Sequence, residues 1–365
     1  MAVLFEVIFL TVVFAFVSEN YEKNKSIGIF SSLTMLVYAL FIGLRSGYND
    51  TAAYIRSFNN ADTLIDFLNN KERMHILHNP LFYGLEALVS DLTDNYHVFF
   101  LVVAVVDSVL LFRFLKRYCE GYYAFTILLF WGYGLGVFGL AAMKQITAIA
   151  LLTLAFDAMV EHKWVIFVVI VLIAGLIHTY AFLFLVMPLF VSKPWDWKTI
   201  LLIVLTGVII LTFNTSISSI LEYADSVGKS VADFEVFDGV QMNIFRVLVF
   251  AIVPMGLLIF KSWLIPYMTE VQYILGNMSI IALMFMVMGM VNGANMFGRL
   301  ATYFVLGDIC LLGWIIHHVF EKKSSLLVSI MTIFLFLIFI AYDNVDFSTT
   351  AGYSGITIME FILSL

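Results

Sequence analysis

Residues 164–191 read WVIFVVIVLIAGLIHTYAFLFLVMPLFV, an apolar run broken by His178 and Thr179. A bilayer core about 30 Å thick is crossed by about 20 helical residues. The run is too long for one crossing, so we expect two short helices with a hairpin near His178. Working outward, comparable apolar segments occur at 2–18, 27–44, 97–115, 122–139, 143–160, 199–213, 243–260, 271–290, 299–316 and 324–341. Together they predict an all-α fold, a polytopic membrane helix bundle of about twelve spanning helices. Composition points the same way. Hydrophobic residues make up 62% of the 365 and charged residues 12%, with mean hydropathy +1.00. A soluble globule lacks the polar surface to cover that much apolar material. Residues 1–365 therefore read as a single integral membrane domain. The first segment has neither the basic start nor the small-residue cleavage site of a signal peptide, so it is expected to stay. Lys and Arg number 19 against 26 Asp and Glu, and no basic tract exists, which excludes nucleic-acid binding as a main function. Cys119 and Cys310 lie in or beside apolar segments, so no disulfide framework is expected.

Orientation follows from the basic residues of the short connections. One set of loops runs from Lys23 and Lys25 through Arg113, Lys116 and Arg117 to Lys322 and Lys323. The opposite set is acidic where it is long, as in Glu222, Asp225, Asp233, Glu235 and Asp238. The first set is read as cytoplasmic and both termini as outside. The long outer loops are then about 45–96 and 214–242. Within the first, Pro80 to Asp91 is amphipathic and is expected to lie on or dip into the outer leaflet. Gly132, Gly134, Gly136 and Gly139 fall within a predicted spanning helix, where close helix packing is the expected role.

Five basic or potentially basic side chains sit at a similar outer depth: Arg45, Lys144, His178, Arg246 and Arg299. Any one of them is explained by snorkelling to lipid phosphate. As a set, against an otherwise acidic exterior, they suit a cradle for a lipid-linked phosphate or pyrophosphate. Beside Arg45, Asp50 either caps a helix or serves as a carboxylate base, with Tyr54 and Phe58 on its face. Glu72, His75 and His78 have a spacing that a metal could use, but the following Asn79-Pro80 favours a loop. Glu6, Asp107, Asp157 and Asp308 in apolar segments are read as partners of tyrosines or cations in preference to a proton path.

These residues resemble a known family. Gly43-x-Arg45-x-Gly47-x-x-Asp50-x-x-x-Tyr54 is similar to the first outer loop of the EpsG/Wzy-type bacterial polysaccharide polymerases. Three further pieces follow in order. Met143-Lys144-Gln145 resembles the family's Arg-Gln helix start, with Lys for Arg. His178-Thr179-Tyr180-Ala181 resembles its His-x-Ser-Ala hairpin, and Arg299 to Phe304 its late Arg-x-x-x-Tyr-Phe. The resemblance implies a polymerase of an exopolysaccharide, capsule or O-antigen, multi-pass in the bacterial inner membrane. It would transfer a glycan from undecaprenyl pyrophosphate onto a lipid-linked repeat unit at the outer face. It further implies pyrophosphate binding by Arg45, Lys144, Arg299 and Arg246, and a base at Asp50 or His178. Tyr54 and Tyr303 would face the glycan. No cofactor is implied, and with no Asp-x-Asp motif a metal-independent glycosyltransferase is expected. Partners would be the lipid-linked oligosaccharides, membrane lipid, and a chain-length regulator or flippase of the same pathway. A transporter or flippase of a lipid-linked sugar is the main alternative, and a membrane acyltransferase a third.

Overall fold

The computed structural model describes residues 1–22, 27–214, 240–291, 293–345 and 352–365. Most of the expected loop 214–242, and Lys23, Lys25 and Asp346, lie outside the described residues. The chain forms two compact units, Met1–Leu185 with Leu326–Leu365, and Val186–Ser325. Each is taken by itself.

In the first unit, helices α1 (Ala2–Tyr21) and α2 (Ile29–Gly43) pack together. A three-residue strand β1 (Arg45–Gly47) follows, then α3 (Thr51–Asn59), α4 (Leu64–Asn69) and α5 (Pro80–Ser90). Long α6 (Tyr96–Tyr118) lies against α2 and α9. Next come α7 (Tyr123–Gly132), α8 (Leu135–Ala141), α9 (Met143–Val160) and α10 (Trp164–Ile177). The core is aromatic: Tyr38, Phe112, Phe130 and Trp131 meet with ring centroids 5.2–5.8 Å apart. The Trp131 indole N–H would be costly to bury alone, and it donates to Thr11 Oγ1 at 3.0 Å.

His178 interrupts 164–191. It is extended (φ −150°, ψ 116°) between α10 and a 3₁₀ helix, Thr179–Phe190. In the second unit α11 (Trp197–Asn214) and α12 (Ile244–Ile259) are followed by the short α13 (Lys261–Leu264). Helix α14 (Glu270–Val291) is its centre, packed on α11, α12, α15 (Ala294–Thr302) and α16 (Leu306–Val319). Helix α17 (Lys322–Asp343) begins here and continues into the first unit. There the chain ends with strand β2 (Ser354–Gly355), antiparallel to β1, and α18 (Ile358–Leu363).

The protein is thus mainly helical among the described residues, with this small sheet as its strand structure. Among the described residues five helices are long and apolar enough to cross a membrane, or up to eight if each bent pair is one span. About twelve was expected. Most of the difference has two sources. Three expected spans are bent pairs, by 48° at α7–α8, 69° after α12 and 63° at α15–α16. Three more, α2, α10 and the 3₁₀ helix, have 15, 14 and 12 residues. The glycine series is corrected in the same way. It does not lie inside one helix, because Gly134 at φ +81° ends the α7 run and starts α8. Close packing does hold at its flanks: a side chain at Gly139 would reach the Tyr38 hydroxyl at 2.5 Å.

Candidate active site

In the first unit two cations gather at the start of α9. Arg45 leaves the end of α2 through β1 and turns inward, with none of its surface exposed. Its guanidinium donates to Ile42 O at 2.5 Å and Thr51 Oγ1 at 3.3 Å, touches Met143 Sδ at 3.5 Å, and stacks over Phe100 at 4.4 Å. It therefore does not snorkel to lipid. Burial pulls it down to about 10, opposed by nearby Tyr54, Tyr38, Tyr353 and Asp107, so it stays charged at neutral pH. Asp107, buried in α6, takes a hydrogen bond from Thr147 Oγ1 at 3.1 Å.

Lys144 follows Met143 on the first turn of α9, whose cap residue Ala142 offers no side-chain acceptor. That helix start adds its own partial positive charge to the two cations. The Lys144 ammonium donates to Tyr83 Oη at 3.1 Å and lies 4.9 Å from the Tyr83 ring centre. Its backbone N–H donates to Tyr54, whose phenol is raised by burial. Arg45, Tyr54, Lys144 and Tyr83 thus form one continuous polar patch. Asp50 stands at the head of α3 but makes no capping bond, and it is exposed. Its charge acts on Tyr54.

The break at His178 is pinned to the loop before α5. Thr179 donates through both N and Oγ1 to Asn79 Oδ1, each at 3.3 Å. Asn79 takes φ +53°, allowing Pro80 to open α5. The His178 ring lies edge-on to Tyr180, 5.2 Å between centres.

The second unit holds the remaining candidates. Arg246 on α12 and Arg299 on α15 are exposed, and Tyr303 is buried at the bend between α15 and α16. Met242 N bonds Gly289 O at 2.8 Å, and Ala294 N bonds Val240 O at 3.0 Å. These bonds hold the start of α12 on the α14–α15 corner, so Arg246 and Arg299 belong to the same end of that unit.

The sequence missed a cavity of about 720 Å³ in the first unit, formed by α3, α4, α5 and the connections between them. Arg56, Ser57, Arg73, His78, Tyr83 and Glu86 line it. Glu86 is 2% exposed, accepts from Ser57 Oγ at 2.9 Å, and keeps Oε1 without a partner. Burial raises its carboxyl to about 7, against the pull of Ser57, Lys144 and Arg73. A carboxylate on the apolar side of an amphipathic helix was the available signal. As for Glu72, His75 and His78, they lie in turns, and His78 Nδ1 is 2.8 Å from Glu72 O. Among the described residues no three His, Cys, Asp or Glu side chains are grouped as a metal would need.

The other acids of the apolar segments divide by environment. Asp157 accepts from Tyr118 Oη at 2.6 Å and pairs with Arg113 and Arg117. Glu6 is exposed, and Asp308 is buried with both carboxyl oxygens unbonded.

Fold and site together define a multi-pass membrane protein with a polar, cation-bearing patch at one end of its helices. The EpsG family model matches residues 28–357, nearly the whole chain, and the protein belongs to the EpsG family. Membership points to a polymerase of polysaccharide biosynthesis. No curated protein and no solved structure matches the chain.

Proposed function

We propose that the protein polymerises an exopolysaccharide, capsule or O-antigen at the outer face of the bacterial inner membrane. It moves a glycan from undecaprenyl pyrophosphate onto a lipid-linked repeat unit. The observation that carries this reading is the pairing of Arg45 and Lys144 at the uncapped start of α9. Pyrophosphate departs as the anomeric C–O bond breaks, and fixed positive charge at that point lowers the barrier. In this reading Lys144 meets the anion and Arg45 adds its charge. Arg299 and Arg246 are the further pyrophosphate-binding candidates of this reading. Asp50, free of capping duty, or His178 takes the acceptor hydroxyl's proton. Tyr54 and Tyr303 face the glycan. The reaction needs no metal and no cofactor in this reading. The chain works as one integral membrane domain, with α2, α10 and the 3₁₀ helix completing a set of about twelve crossings.

Deleting the gene tests this directly. Lipid-linked single repeat units should accumulate on the outer face while long polymer disappears, and the wild-type gene should restore it where Lys144→Gln does not. Units trapped on the inner face would indicate a flippase instead. Undiminished long polymer in the deletion strain would end the polymerase reading.

A further inference from the structure

We propose that the cavity between α3 and α5 is a sugar subsite in which Glu86 hydrogen-bonds a glycan hydroxyl. This deepens the polymerase reading and rests on it for the source of the glycan. The volume of about 720 Å³ falls within the range of about 300–1,000 Å³ typical of small-ligand sites. Its lining selects among ligands. Arg73 is already paired with Asp62 at 3.2 Å. That pair offsets its own charges, and Arg56 and Glu86 line the cavity with opposite sign, so the lining carries no surplus charge for an ion. A neutral ligand rich in hydroxyls suits such a lining.

Glu86 supplies the specific contact. Ser57 fixes one carboxyl oxygen and leaves Oε1 buried and unbonded, a costly state that a ligand hydroxyl relieves. Tyr83 adds an aromatic wall, and its hydroxyl is the one that Lys144 holds. A sugar in the cavity is therefore one side chain away from the cation that is to meet the pyrophosphate. That is where a sugar about to be joined, or just joined, must rest.

The test uses full-length protein in lipid nanodiscs and saturation-transfer NMR with free hexoses and N-acetylhexosamines. Wild type should transfer saturation to at least one sugar. Ala53→Trp, at an exposed lining position, should abolish it by filling the cavity. Glu86→Gln, which keeps the shape, should weaken apparent affinity by roughly tenfold, the scale of one lost hydrogen bond. Transfer that persists in Ala53→Trp, is unchanged in Glu86→Gln, or is absent from wild type overturns the proposal. Polymer assembly is scored separately in cells. Sugar binding without polymer would keep the subsite and reject the polymerase reading, and polymer without sugar binding would do the reverse.

Discussion

A single lysine carries much of the proposed chemistry, and its surroundings say how it should respond to change. The Lys144 ammonium has one hydrogen-bond partner in Tyr83 and sits where an α-helix begins. Lys144→Arg should keep activity, since Arg preserves the charge and adds donors. Lys144→Gln should lower polymer formation by roughly 10²-fold with folding intact. An unaltered polymer ladder from Lys144→Gln, in protein of normal melting temperature, would remove it from the site. For the base, Asp50→Asn and His178→Ala separate the two candidates. One of them should lose roughly 10²-fold, the usual scale for a missing general base. Glu86 makes a different prediction, about pH and stability. Its carboxyl is raised by burial to about 7, so the folded state binds its proton more tightly than the unfolded chain does. Glu86 therefore favours the fold below the ordinary Glu range, and that contribution is lost as pH rises toward 7. Thermal melts of wild type against Glu86→Gln across this window should show wild type losing relative stability as pH rises. A constant difference between them would contradict the raised value.

At the scale of elements, Glu22 shows how one side chain joins three helices. It ends α1, and its carboxylate accepts from the otherwise orphaned N–H groups of Phe30 at 2.5 Å and Ser31 at 3.2 Å on the first turn of α2. Lys116 of α6 donates to it at 2.6 Å and to Ser18 at 2.7 Å. Burial alone would raise Glu22, but the bonds from Lys116, Ser18, Ser31 and Phe30 override it and hold the carboxylate at about 2. With the folded value depressed, this contribution is present above the ordinary Glu value of 4.5 and is lost as pH falls toward 2. Glu22→Gln should melt lower than wild type at neutral pH, and the two should converge in acid. Parallel melting curves down to low pH would show that the cluster is not stabilising. Such elements were only partly legible in the sequence. Hydropathy found the apolar segments, because the membrane core admits little else, and Asn79-Pro80 announced the loop before α5. A window of about 19 residues averages over backbone geometry. It therefore could not show that Gly134 breaks the segment 122–139, or that the segment 299–316 bends by 63° after Thr302. Arg45 and Lys144 were visible as cations out of place, and their order matched the family. Glu86 was marked only by its place on the apolar side of an amphipathic helix, and its partner Ser57 on another helix is something that spacing does not reveal.

For the whole molecule the decisive property is which side of the membrane each end of the helices faces, since donor and acceptor glycans must be reached from one side. The basic connections provide the argument. Arg113, Lys116 and Arg117 close one end of α6, while Asn95 and His97 begin the other, near Arg45 and the C-terminal strand. Asn95 Nδ2 donates to Ser364 Oγ at 2.8 Å, and Ile356 N to Leu44 O at 2.9 Å. The C-terminal segment therefore shares the end of the unit that carries Arg45, Lys144 and the cavity. If positive charge stays in the cytoplasm, that end is outside and the proposed reaction has access to exported substrates. The arrangement is open to cysteine labelling in intact cells, after both native cysteines are replaced. Cys119 and Cys310 are buried, so their replacement by Ala or Ser removes background without altering the surface. A membrane-impermeant maleimide should modify Asn60→Cys, on the exposed rim of the cavity, and Ser364→Cys at the C-terminal end. Lys322→Cys should react only after the membrane is permeabilised. Labelling of Lys322→Cys in intact cells together with protection of Asn60→Cys would invert the protein. The cations and the cavity would then face the cytoplasm, and polymerisation at the outer face would be impossible with this site.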